Sequence, residues 1–153
     1  SVTAHLGTAI IPFSMDIGFG DIVIPEPIEI DYPLLLEEMP KVSIYAYSLE
    51  TVVAEKFETM INRGLANSRM KDFFDVYTIL KAENLNHDIL HEAIISVFKN
   101  RGTGYYENHV LFNGDFKNDP IKQTQWNSFL KKIKQFCLLL LQFAPALSTT
   151  HKA

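Results

Sequence analysis

Residues 48–64, SLETVVAEKFETMINRG, predict the first helix of the chain. Ser48 is a suitable N-cap, Glu50 favours the positive end of the helix dipole, and Gly64 fits the position after the last turn. One face of this helix is apolar, and its members are Leu49, Val52, Val53, Phe57, Met60 and Ile61. Lys56 falls on the same face, so its side chain either reaches out to solvent or points into a cleft.

The residues before this helix predict short strands. Within residues 8–19, Phe13, Met15 and Ile17 alternate with polar or small residues, which is the period of a strand with two different faces. Shorter strands are predicted at residues 22–24, 29–32 and 42–46.

The residues after Gly64 predict three more helices and one long loop. The second helix is capped by Asn67 or Ser68, and the third covers about residues 88–98. The last helix opens at Asp119, followed by a proline in its first turn. The loop between the third and last helices covers residues 103–118, with room for a short strand around residues 110–112.

Strands first and helices after predict an α+β fold. We expect the remainder of a larger sheet in residues 1–46, a helical part in residues 47–145, and a flexible tail in residues 146–153. The sheet would be narrow, with three or four strands, which favours additional material upstream.

The composition of the 153-residue chain fits one globular domain. Eleven Phe and six Tyr exclude a largely disordered chain, and a net charge of −4 argues against a globally basic nucleic-acid binder. The single cysteine, Cys137, excludes a disulfide framework and favours a reducing, cytoplasmic setting. The longest apolar run, residues 136–141, is too short to span a membrane.

Asp16 is the most unusual carboxylate of the N-terminal part, because aspartate is depleted in strands. Two interpretations stay open for it: a metal ligand or catalytic base, and a solvated position on an edge strand. Asp21 follows a glycine, and an ordinary turn explains that pair better than a site does.

A compact charged cluster stands at the start of the second predicted helix. Arg69, Lys71, Asp72 and Asp75 form the pattern RxKDxxD, in which Asp72 and Asp75 share a helical face and Lys71 can pair with Asp75. A solvated face and an N-terminal dipole role for Asp72 remain alternatives. The lysines at positions 131, 132 and 134 are interpreted as a solvated helix face.

Four segments agree in order and spacing with a known family. They are FSMDIGFGDIVIP at 13–25, YSLETVVAEKFETM at 47–60, NSRMKDFFDV at 67–76 and QWNSF at 125–129. Together they resemble the nucleotidyltransferase AbiEii/AbiGii toxin family. The resemblance implies a polymerase-β-like fold and Mg²⁺-dependent transfer of a nucleoside monophosphate from a nucleoside triphosphate. It also implies an RNA acceptor (tRNA included) or a protein acceptor, and an antitoxin partner.

The resemblance also implies roles for individual residues. Asp16 would be the third carboxylate, a metal ligand or the base for the acceptor hydroxyl. Lys56 would hold triphosphate oxygens, and Asp72 would orient Lys56 or the acceptor. The supporting roles fall to Arg69 and Lys71 for phosphate, and to Asp21 and Asp75 for the structure around the site.

One part of the family pattern is missing from residues 1–153. The family's first motif is a Gly-Gly/Ser loop followed by two carboxylates on one strand, and the sequence does not contain it. We therefore expect a C-terminal portion whose full-length protein carries the activity. The alternative is a non-catalytic fragment or a protein-binding module. In that case the last helix, with leucines at 138–141, would bind an antitoxin or a second copy of the chain.

Overall fold

The computed structural model describes residues 1–34 and 40–148, except for the side chains of Leu6 and residues 136–148. Within these described residues four strands precede five α-helices, which confirms the α+β prediction. The strands are β1 (Val2–Leu6), β2 (Ala9–Phe13), β3 (Ile28–Asp31) and β4 (Ser43–Ala46). The helices are α1 (Leu49–Arg63), α2 (Met70–Ala82), α3 (His87–Arg101), α4 (Asp115–Asn118) and α5 (Pro120–Ser148), with a 3₁₀ turn at Gly64–Ala66.

The strands form two separate antiparallel hairpins, not one sheet of three or four strands. In the first hairpin Val2 lies opposite Phe13, and in the second Ile28 lies opposite Ala46. The predicted strand over residues 8–19 is therefore wrong beyond Phe13. In the described residues β2 ends at Phe13, opposite Val2 of β1, and residues 14–19 pair with no strand.

Two other strand predictions fail for local reasons. The backbone N–H and carbonyl of Ile24 form hydrogen bonds with side chains and not with a neighbouring strand. Its N–H donates to Thr51 Oγ1 at 2.9 Å, and its carbonyl accepts from Ser48 Oγ at 2.7 Å. The strand around residues 110–112 is a turn, in which the Phe112 N–H donates to the His109 carbonyl at 2.8 Å. The predicted strands at 29–32 and 42–46 are confirmed to within one residue.

Helix α1 forms as predicted and packs on α3. Ser48 caps it by accepting the Thr51 N–H at 3.1 Å, and Gly64 ends it with a φ of 46°. Ala54 and Ala93, both 0% exposed, let α1 and α3 approach closely, and Val97 completes this small core. The core therefore lies in the helical part, and α1 is held between α3 and α2.

The other helices correct the predicted boundaries. Helix α2 is capped by neither Asn67 nor Ser68: its N-cap is Arg69, and Asn67 closes the turn before it by accepting the Arg69 N–H at 2.9 Å. Helix α3 is longer than predicted, because Asn86 caps its start and α3 continues to Arg101, with Gly102 as its C-cap. Helix α5 continues through residue 145 to Ser148. The rest of the predicted tail, residues 149–153, and the side chains of the leucines at 138–141 lie outside the described residues. No described helix is long and apolar enough to cross a membrane.

Replacing Ser48 by alanine is expected to lower the free energy of unfolding by about 1–2 kcal/mol, because Ser48 caps α1 and also holds the Ile24 carbonyl. Urea denaturation followed by circular dichroism measures the change. Ser14→Ala, at an exposed position outside the strands, is the control and should change the midpoint little. Equal midpoints for the two variants would contradict the assigned role of Ser48.

Candidate functional site around Lys56

Lys56 projects from α1 toward α2 and is held there by two carboxylates. Its Nζ lies 2.7 Å from Asp72 Oδ1 and 2.9 Å from Asp75 Oδ2. The exposed fractions of the three side chains are 22%, 14% and 20%, so the group is largely but not fully withdrawn from water. Of the two alternatives for Lys56, reaching out to solvent is therefore excluded. We call Lys56, Asp72 and Asp75 the Lys56 site.

Lys71 extends this site to the surface. Its Nζ lies 2.5 Å from Asp75 Oδ2, which confirms the pair expected from the spacing of four residues on α2. Asp75 therefore bridges two lysines, one half-buried and one 71% exposed. Asp72 has Lys56 as its described cationic partner. Asp72 is therefore less constrained than Asp75, and Lys56 and Asp72 are the pair that can more readily contact a substrate.

Lys56 and Asp75 both stay charged at neutral pH. Burial lowers the pKa of Lys56, but hydrogen bonds and the charges of Asp72 and Asp75 outweigh burial, so the pKa lies above its ordinary value. Burial raises the pKa of Asp75, and hydrogen bonds from Lys71 and Lys56 reverse this, so that pKa lies below its ordinary value. Lys56 is thus a permanent cation, suited to an anionic substrate and not to proton abstraction.

The lowered pKa of Asp75 predicts how acid affects stability. Because folding favours the ionised form, the stabilisation by Asp75 is complete above the carboxyl's ordinary pKa of about 4 and is lost as the pH falls through the lower folded-state pKa. The difference in unfolding free energy between wild type and Asp75→Asn is therefore expected to shrink below pH about 4. Urea titrations at several pH values measure it. Asp31→Asn, at a 68% exposed position, is the control, and a difference independent of pH would contradict the prediction.

Arg69 stands at the start of α2 beside this site. It is exposed and lies on the wall of a groove of 610 Å³ between α2 and α5, which Lys71 and Asp72 also line. Arg69, Lys71 and Asp72 therefore come together at one surface, as the RxKDxxD motif predicts, and that surface continues from the Lys56 site.

Asp16 is not on a strand, which corrects the prediction for that residue. It lies three residues beyond β2, is exposed, and makes no hydrogen bond or ion pair with the part of the chain that the structure describes. Asp16 therefore makes no direct contact with Lys56 in that part of the chain. The same residues contain no cluster of three His, Cys, Asp or Glu side chains that would hold a metal.

The described residues therefore do not form a Mg²⁺ site by themselves. Mg²⁺ usually takes one or two protein carboxylates and completes its shell with water and substrate phosphates. Asp16 is a single exposed carboxylate, and Asp72 and Asp75 are engaged by lysines. No step of the chemistry below is assigned to a metal.

Asp21 belongs to a second charged group, centred on Arg101 at the end of α3. Asp21 accepts a hydrogen bond from Tyr47 Oη at 3.1 Å and lies 3.7 Å from Arg101 Nη2. Asn100 Nδ2 also donates to the Gly20 carbonyl at 2.9 Å. These contacts tie the segment before Ile24 to the helices, so Asp21 has a structural role.

The sequence analysis missed the buried member of this second group, Glu58. Glu58 is buried, with a side chain 2% exposed, and its Oε2 lies 2.7 Å from Arg101 Nη1. Thr103 and Asn62 also donate to Glu58, and Arg101 also pairs with Glu55. Burial raises the pKa of Glu58, but these hydrogen bonds and the Arg101 charge lower it below its ordinary value. The spacing of Glu55, Glu58 and Asn62 on one helical face was the available signal.

The fold and the Lys56 site define a small α+β protein in which a half-buried lysine is held by the aspartates of an RxKDxxD motif. A comparison with protein families matches residues 1–147 to the family described as nucleotidyl transferase AbiEii toxin, type IV toxin–antitoxin system. The chain belongs to this family. No curated protein and no solved structure matches it significantly.

Proposed function

We propose that the protein transfers a nucleoside monophosphate from a nucleoside triphosphate to a macromolecular acceptor, with Lys56 and Asp72 at the reacting groups. Membership of a nucleotidyltransferase toxin family supports the class of reaction. The single observation that carries the residue assignment is the half-buried Lys56 cation, held 2.7 Å from Asp72 and 2.9 Å from Asp75. A cation fixed in this way needs little reorganisation to bind phosphate.

In the proposed reaction an acceptor hydroxyl oxygen attacks the α-phosphorus. The new bond joins that oxygen to phosphorus, and the bond between the α-phosphorus and the α,β-bridging oxygen breaks, so pyrophosphate leaves. Lys56 neutralises charge that develops on the phosphate oxygens, and Asp72 keeps Lys56 in position. Asp16 would take the proton of the hydroxyl, and Arg69 and Lys71 would bind phosphate oxygens. Mg²⁺ would arrive with the triphosphate.

The family also supports a biological role. Members are toxins of toxin–antitoxin systems, so an antitoxin partner and a growth-arresting activity are proposed for this protein. The proposed acceptor is RNA, with tRNA included, or a protein, and the proposed site of action is the cytoplasm. Lys56 and the RxKDxxD residues act on the triphosphate in either case, so they do not select between these acceptors.

The test uses the product of the complete gene, with the 153-residue chain in parallel. Each of the four α-labelled nucleoside triphosphates is incubated with Mg²⁺, total RNA and total protein, and label in each fraction is counted. We expect label from one or a few of the nucleotides in one fraction, and its loss when Mg²⁺ is omitted. No label from any nucleotide, with the protein shown to be folded, would contradict the proposed reaction.

A second function is favoured by the surface of the N-terminal part. Apolar side chains there are unusually exposed, including Phe19 at 92%, Ile17 at 71% and Ile10 at 66%. Exposed apolar surface of this kind is typical of a protein-binding face. In a binding module without catalysis, the gene product would bind an antitoxin but transfer no label, and Lys56→Ala would leave that binding unchanged.

A further inference from the structure

The groove between α2 and α5 has the size and polarity of a nucleotide site. Its volume is 610 Å³, within the range of small-molecule sites. One wall is the start of α2, with Ser68 and Arg69, and the other is the exposed face of α5, with Gln125, Ser128 and Lys132. Lys132 is exposed, in agreement with the solvated helix face that the sequence predicts, and it also lines this groove together with Arg69.

The charges on the groove do not cancel. Its three cations are Arg69, Lys71 and Lys132, and its single carboxylate is Asp72. Asp72 is paired with Lys56, and Lys71 is paired with Asp75. Arg69 and Lys132 have no carboxylate within 4.0 Å in the described part of the chain. Two cations from different helices therefore face the same open space, although the whole chain has a net charge of −4.

The groove also offers oriented donors and an apolar surface. Gln125 Oε1 accepts from Lys122 Nζ at 3.2 Å, and because lysine can only donate, the amide NH₂ of Gln125 is left free to donate. Lys122 is itself fixed by donating to the Asn67 carbonyl at 2.8 Å. The ring of Phe129 lines the same groove beside the rings of Phe74 and Trp126, and aromatic rings of this kind are surfaces on which bases stack.

We propose that this groove binds a phosphate group carried by a nucleotide, with Arg69 and Lys132 contacting the phosphate and Phe129 contacting the base. The groove shares Asp72 with the Lys56 site, so a nucleotide bound here lies next to the proposed reaction. The phosphate belongs either to the free triphosphate or to the end of an acceptor strand. The choice of a nucleotide as the ligand rests on the proposed function. Binding of a phosphate group in the groove rests on its cations alone.

Trp126, the single tryptophan, provides a direct readout of the groove. Its ring centroid lies 5.7 Å from that of Phe129, so a base stacked on Phe129 is expected to change the tryptophan emission. The protein is titrated with inorganic triphosphate, the four nucleoside triphosphates, a short single-stranded oligoribonucleotide and polyglutamate. Calorimetry on the same mixtures gives affinities independently of the fluorescence.

The expected result is saturable binding of nucleotides that Lys132→Ala weakens about tenfold, the size of one lost charge-assisted contact. Lys131→Ala makes the same change in charge at a neighbouring position outside the groove and is expected to change affinity less than twofold. Tighter binding of the free triphosphate identifies it as the ligand, and tighter binding of the oligonucleotide identifies the acceptor strand.

Three results would overturn the proposal: no saturable nucleotide binding, equal effects of Lys132→Ala and Lys131→Ala, or binding of polyglutamate in preference to every nucleotide. The last would indicate an acidic protein segment as the occupant. Label transfer is measured separately on the wild type. Nucleotide binding in the groove without transfer would leave this proposal standing and contradict only the proposed function, whereas transfer without binding in the groove would do the reverse.

Discussion

Replacing Lys56 by alanine is expected to lower the rate of nucleotidyl transfer at least about 100-fold, the usual cost of removing one preorganised electrostatic group from an active site. The change removes the cation that would neutralise the phosphate oxygens. It also leaves Asp72 with no described cationic partner, so an uncompensated negative charge faces the triphosphate. Initial rates of label transfer by the gene product measure the effect.

Two further variants separate charge from geometry at this position. Lys56→Arg keeps a positive charge but replaces a compact ammonium by a planar guanidinium, so we expect a smaller loss than for alanine and no full recovery. Lys81→Ala removes a lysine at the far end of α2 and should leave the rate unchanged. An active Lys56→Ala protein with the same unfolding midpoint as wild type would contradict the assignment of Lys56.

Replacing Arg101 by methionine is expected to lower the free energy of unfolding by about 3–5 kcal/mol, because it leaves a charge buried without its ionic partner. The side chain of Glu58 is 2% exposed, and Arg101 Nη1 lies 2.7 Å from its Oε2. Arg101 also joins Glu55 and Asp21, so the same change loosens the segment before Ile24 from α1 and α3. Urea denaturation at neutral pH measures the loss.

Two further variants test whether the unpaired charge of Glu58 causes the loss of stability. Arg63→Met removes an exposed arginine of α1 that makes no described ion pair, and should cost less than about 1 kcal/mol. The double variant with Glu58→Leu and Arg101→Met removes both charges and is expected to recover much of the stability lost by Arg101→Met alone. A double variant less stable than Arg101→Met would contradict this explanation.

Local signals predicted the helical part of the fold well. The boundaries of α1 follow from Ser48 and Gly64, which act through contacts within a few residues of themselves. The RxKDxxD cluster was predictable for the same reason, because positions on one helical face meet whatever surrounds the helix. The contacts of Lys56 with Asp72 and Asp75 were not predictable from spacing, since they depend on how α1 packs on α2.

The N-terminal part was predicted less well because strands depend on partners distant in sequence. The alternation around Asp16 is present in the sequence, but β2 stops at Phe13, opposite Val2, and no described strand pairs with residues 14–19. Glu58 was missed for a related reason. Its burial depends on Arg101, which lies 43 residues away and belongs to another helix.

A comparison of α- and γ-labelled nucleoside triphosphate tests the central claim most directly. The gene product is incubated with each label in turn under conditions that give transfer, and label is counted in the acceptor and in the released small molecules. Nucleotidyl transfer predicts that the α-label enters the acceptor while the γ-label leaves in pyrophosphate, and that Lys56→Ala abolishes both. Entry of the γ-label into the acceptor, or α-label transfer undiminished by Lys56→Ala, would contradict the account.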